Sequence, residues 1–169
     1  MNNRIIIIFI ALIGLSTSSC ERDDLCIPED DTTPRMIVIF TDRLNPSERK
    51  DVASLRVNEV DRDEFAPLNR DGATSLTQVD SIALPLRSDQ GLTDFTFIQS
   101  LNQVDSFDDV AFEYEVDQEY ISRACGFKSV YENLITTLQP NADDPWIDSI
   151  IVLETEINDN QDIHVEIRH

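Results

Sequence analysis

The chain carries only two histidines, His164 and His169, both within its last six residues, and three cysteines, Cys20, Cys26 and Cys125. Nucleophilic catalysis needs a thiol or hydroxyl, a base, and a group that orients the base. Cys125 with His164 as its base is a conceivable pair, but a disulfide suits Cys125 better, and no G-x-S-x-G turn occurs. For a transition metal the available set is His164, Glu166 and His169. His164 and Glu166 share one strand face while His169 points the other way. Two ligands from one strand do not complete a site, so the expected reading is a solvent-facing row on a terminal strand. Hard cations want clustered oxygens. Asn158, Asn160 and Asp162 alternate like the opening of a calcium loop but lack its glycine and its distant bidentate acid. Asp143, Asp144 and Asp148 around Trp146 are a second oxygen-rich group, and both groups read first as polar turns. With 33 acids the chain can supply the paired carboxylates of a glycoside hydrolase, and for the same reason no pair stands out. Trp146, Tyr114, Tyr120 and Tyr131 are the candidates for a sugar-binding face. Aromatics are only 7% of residues, so use in the core is the expected reading. No catalytic, cofactor-binding or metal-binding residue is assigned.

The N-terminus is more specific. Arg4, the apolar run Ile5 to Leu15, and Ser16-Thr17-Ser18-Ser19 before Cys20 form a secretory signal. The run is shorter than the ~20 residues a finished membrane span requires. A cysteine directly after small residues resembles a lipobox, with Thr17 where that motif usually carries leucine. The expectation is therefore a signal peptide over 1–19 and lipidation of Cys20. Glu21-Arg22-Asp23-Asp24 resembles the surface-export signal of Bacteroidetes-type lipoproteins. Outer-membrane anchoring follows, with outward display and periplasmic retention left level.

Composition narrows the partners. Net charge is −20, and loss of Arg4 with the signal makes it one unit more negative. No basic stripe exists to replace phosphate counterions, so nucleic acid is excluded. Adhesion of the whole domain to an anionic bilayer by charge is excluded likewise, which leaves membrane residence to the lipid. With Cys20 acylated, Cys26 and Cys125 form an even pair in an oxidising compartment. Bridging them closes a loop of about 100 residues, which the chain-entropy model values at up to ~4.7 kcal/mol. Two thiols that never meet is the alternative.

The elements expected to carry this chemistry are strands. Residues 20–35 read as a lipidated acidic linker and 36–169 as a single domain. Met36 to Phe40 is apolar on both faces, as in a strand buried on each side. Val52 to Val60 places Leu55 and Val57 on one face, and residues 61–74 read as a loop. Ile82, Leu84 and Leu86 share a face, with Pro85 marking an edge strand or a bulge. Phe95 and Phe97 fall on one side of 92–99. Val110, Phe112, Tyr114 and Val116 alternate with Ala111, Glu113, Glu115 and Asp117, a strand with one wet face. Trp146 to Ile157 reads as a long strand joined through 158–162 to a final strand in which Ile163, Val165 and Ile167 face one way. Residues 127–138 are divided: Phe127, Val130, Tyr131, Leu134, Ile135 and Leu138 recur at helical spacing, while Asn133, Thr136 and Thr137 favour strand. The expected fold is all-β, an antiparallel sandwich loosely immunoglobulin-like in layout, with a short helix over 127–138 as the open alternative.

Thr33-Pro34-Arg35 leading into an apolar strand, the Ile82 to Leu86 strand, Ser122-Arg123-Ala124-Cys125-Gly126-Phe127, and the final strand bearing His164 together resemble a Bacteroidetes-type lipoprotein family of unknown function. The resemblance implies a lipoprotein domain with a cysteine pair and implies no activity. The expected role is that of a non-enzymatic accessory lipoprotein acting on an envelope protein, with a surface glycan- or polymer-binding module as the alternative and a hydrolase using paired carboxylates further behind.

Overall fold

A computed structural model describes residues 33–60, 62, 64–141 and 143–169. The signal segment, Cys20 and Cys26 lie outside the described residues. Nine strands form two sheets: β1 (Met36–Thr41), β2 (Val52–Glu59), β3 (Leu76–Val79), β4 (Ser81–Leu84), β5 (Leu92–Leu101), β6 (Val104–Ser122), β7 (Gly126–Gln139), β8 (Ser149–Val152) and β9 (Val165–Arg168). One sheet has the order β4-β1-β9-β8 and the other β3-β2-β5-β6-β7. The fold is an all-β sandwich, as the alternating segments predict.

The inward faces supply a continuous core. Phe95, Phe97 and Phe112 meet with ring centroids 6.1 to 6.4 Å apart, and Tyr114 stands edge-on to Tyr131 at 5.1 Å. Leu55, Val57, Val110 and Ile82 lie in the same cluster. Glu113 and Glu115 of β6 are exposed and alternate with the buried Phe112 and Tyr114, the wet face expected of that strand. β4 lies at a sheet edge and stops at Leu84, before Pro85. Thr33 to Arg35 are already docked: Pro34 is buried, and Thr33 Oγ1 accepts the Ser129 N–H at 3.2 Å.

Several expectations are corrected. Residues 127–138, left open between strand and helix, are strand throughout, within β7, and the helix alternative falls away. Their helical spacing comes from a bulge. Asn133, at φ +57°, interrupts the β6–β7 register between Glu113 and Glu115, so Tyr131 and Leu134 both turn inward three residues apart. The long strand over 146–157 is broken. Only Ser149–Val152 pairs with β9, and Ile157 crosses to bridge Tyr131 of the other sheet. The four-stranded sheet is mixed, because β1 and β9 run parallel, with Val38 opposite Val165. β3 was not expected, and β5 joins β6 through Asn102 and Gln103, both at positive φ. Two left-handed residues are what a tight hairpin turn matching the strand twist requires.

Candidate functional site

A cleft of about 570 Å³ opens at the end of the sandwich where β1 finishes, β2 starts and β5 turns into β6. Its size falls within the ~300–1,000 Å³ typical of ligand sites. Arg43, Lys50, Gln99, Trp146, Asp148 and His169 line it, together with Asp51 and Leu101. Two cations face two carboxylates here, so the cleft is close to neutral within a chain of net charge −20.

The floor is aromatic. Trp146 stands edge-on to His169 at 5.6 Å, and His169 stands edge-on to Phe40 at 6.1 Å. Trp146 Nε1 donates to the Phe97 carbonyl at 3.1 Å, which ties the indole to the five-stranded sheet. Lys50 Nζ donates to the His169 carbonyl at 2.7 Å and lies 3.5 Å from Asp42 Oδ2.

What holds Trp146 in place is Asp108, which is fully buried. Its Oδ2 accepts the Trp146 and Ile147 backbone N–H groups, each at 2.8 Å, and its Oδ1 accepts that of Asn141 at 2.7 Å. A buried carboxylate is tolerated where several donors converge on it. β6 places it opposite Phe97, on the inward face. Nothing in the sequence separated this acid from the other 32.

The histidines differ from expectation. His164, Glu166 and His169 do not form a wet row; they are 1%, 8% and 8% exposed. β9 lies between β1 and β8 and is covered on both faces. His164 Nδ1 accepts the Ile37 N–H at 3.0 Å, and burial holds the imidazole below its ordinary pKa. Burial lowers His169 in the same way. Glu166 Oε1 accepts from Thr41 Oγ1 at 2.9 Å and from Arg168 Nε at 2.7 Å. All three side chains serve the junction between β1 and β9. Among the described residues no group of three or more His, Cys, Asp or Glu is placed to hold a metal ion.

The remaining candidates divide. Tyr114 and Tyr131 belong to the core, whereas Tyr120 is exposed on the β6–β7 hairpin. Asn160 Oδ1 accepts the Arg35 N–H at 2.9 Å, and Asp159 Oδ1 accepts from Gln161 N at 2.7 Å, so 158–162 is a self-bonded turn. Among the described carboxyls that depart from their ordinary pKa, Asp42, Asp89, Asp105 and Asp159 all move down. The first causes are backbone N–H donors for Asp42 and Asp159, Arg87 for Asp89, and the Ser100 hydroxyl for Asp105. A general acid of the glycosidase kind needs the opposite shift. Cys125 is disulfide-bonded, and Cys20 and Cys26 lie outside the described residues.

The described residues place this chain among the all-β sandwiches. More narrowly, residues 54–169 match the model of a family of unknown function, DUF6452, and the chain is a member of that family. No curated protein and no solved structure matches it.

Proposed function

We propose that this is an outer-membrane lipoprotein of Bacteroidetes type, anchored by acyl chains on Cys20, with a non-enzymatic accessory role in which the cleft engages an envelope protein. The observation that carries this reading is the polarity of the domain. Thr33, where the described chain begins, sits on Ser129 near the β6–β7 turn that carries the disulfide-bonded Cys125. Leu101 in the cleft is paired with Val104, the first residue of β6. Ser129 pairs with Gln118, so anchor end and cleft are separated along β6 by the stretch from Val104 to Gln118, roughly 46 Å of strand path at ~3.3 Å per residue. A domain tethered near the β6–β7 turn presents the cleft away from the bilayer. With Cys20 acylated, Cys26 is the partner left for Cys125.

The near-neutral aromatic cleft suits a protein partner, because the Trp146 surface offers apolar contact while Arg43 places a cation beside it for an acidic residue. A photo-crosslinking residue in place of Gln99, in intact cells, should trap a defined envelope protein in a C20-dependent manner. Recovery of none from Q99-labelled cells, or unchanged envelope fractionation of C20S, overturns the reading.

One observation favours a glycan partner as the second reading. On the outer face of the five-stranded sheet, Phe107 lies across from Ile98 and Ile98 across from Arg56, whose guanidinium sits 5.2 Å from the Phe65 ring centroid. Phe65 and Phe107 are both exposed. Polysaccharide retention lost in F107A but kept in W146A would favour this face over the cleft.

A further inference from the structure

The tip of the β6–β7 hairpin differs from the rest of the surface. Tyr120 and Phe127 face each other across the hairpin, 55% and 64% exposed, with ring centroids 5.3 Å apart. From Tyr120 to Tyr131 there is no acidic residue, although the chain has 33, and this stretch contains Arg123 and Lys128. Lys128 is paired with Glu119 at 3.0 Å, while Arg123 is exposed in the turn. Exposed aromatic rings with cations between them and few acids are what the boundary layer of a bilayer selects.

We infer that this tip rests in the headgroup layer of the membrane that holds the chain, with the rings of Tyr120 and Phe127 in the interface and Arg123 against lipid phosphate. The inference deepens the lipid-anchor reading and rests on it. Two independent features bring the tip to that surface. Cys125 lies two residues from Phe127 and is disulfide-bonded. With Cys20 acylated, its partner is Cys26, six residues from the lipid and so within roughly 20 Å of it along the chain. The bridge itself spans only about 6 Å between Cα atoms. Separately, Thr33 is bonded to Ser129, so the chain enters the fold along this same hairpin.

Charge supports the bilayer as occupant over a second copy of the domain. A strongly anionic globule repels its own copies, yet the tip is the stretch from which acids are missing. The bilayer contact orients the domain, and the acyl chains supply the affinity.

The test uses the full acylated chain, with its disulfide intact, in vesicles of phosphatidylethanolamine and phosphatidylglycerol containing lipids brominated along the acyl chain. Wild type has a single tryptophan, Trp146, in the distal cleft. F127W and, in a second protein, Y120W should each show a blue-shifted added emission that brominated lipid quenches severalfold more strongly than it quenches wild type. Intact mass, taken first, reports the acyl groups. Acylated F127W and Y120W that are quenched no more than wild type overturn the docking and leave the anchor standing. A blue shift without quenching means that protein covers the tip, and this also overturns it. Absence of acyl mass removes the anchor and the docking together.

Discussion

The two ends of β6 are built on opposite terms. At its start, the cleft end is over-determined: Asp108 gathers three backbone N–H groups, Trp146 is tied to Phe97, and Phe40, Trp146 and His169 stack edge to face. At its far end, the strand runs with β7 to a turn whose rings lie outside the core and which carries the disulfide-bonded Cys125. The contrast shows that one strand can be rigidly hydrogen-bonded into the core at one end and leave amphipathic surface exposed at the other.

The sharpest way to break that contrast is at Asp108. D108A strips three donors of a charged acceptor inside the core, and bonds to charged groups are each worth ~1.5–3 kcal/mol. Urea unfolding should show a loss of about 4 kcal/mol, allowing for relaxation of the 141–147 loop. D109A, whose carboxylate only accepts from Thr96 at the sheet surface, should cost under about 1 kcal/mol. Equal losses would mean that the cleft end has no special rigidity.

Removing the tie at the other end is expected to cost less. On the proposed Cys26–Cys125 pairing, C26S/C125S should lose about 3 kcal/mol, the usual range for a disulfide closing a long loop, with the cleft fluorescence of Trp146 unchanged. A shift in that fluorescence would show that the two ends are coupled.

The smallest effect separates the ends by pH. Burial lowers both His164 and His169 below 6.5, so the unfolded chain binds more protons than the folded one just under that value. Their contribution is therefore complete above about pH 6.5 and is lost as pH falls towards their folded values, at no more than about 1.4 kcal/mol per pH unit for each group. H164N, which keeps an acceptor for the Ile37 N–H, should flatten the stability curve between pH 6.5 and 5 without changing hairpin exchange rates. An unchanged slope would show that the β1–β9 junction does not sense protons.

Strands with one wet face were readable because their period of two survives in the residue types. Leu55 and Val57, Phe95 and Phe97, and Val110 to Val116 all sit where alternation puts them. Reading failed where burial came from distant elements. β9 looks half polar in sequence, yet β1 and β8 enclose it, and that parallel pairing joins residues more than 120 apart with no local signal. The Asn102-Gln103 turn lacks the glycine that usually marks a tight hairpin. The bulge at Asn133 shifted the alternation by one and imitated a helix. Of the site, Trp146 and the acids near it were visible as a group. Arg43 and Lys50 come from the ends of other strands, and the role of Asp108 depends on which backbone groups the fold brings to it.

The parallel contact between β1 and β9 also sets an order of events. A chain emerging N-terminus first makes Met36–Thr41 early and can pair it at once with β4, but its other edge stays bare until Val165–Arg168 arrives. Until then an almost wholly apolar strand has unpaired amides along one side, the kind of edge that recruits stray strands. Closure only after the last strand has arrived avoids that exposure; truncation just short of Val165 should yield aggregates instead of a smaller soluble domain.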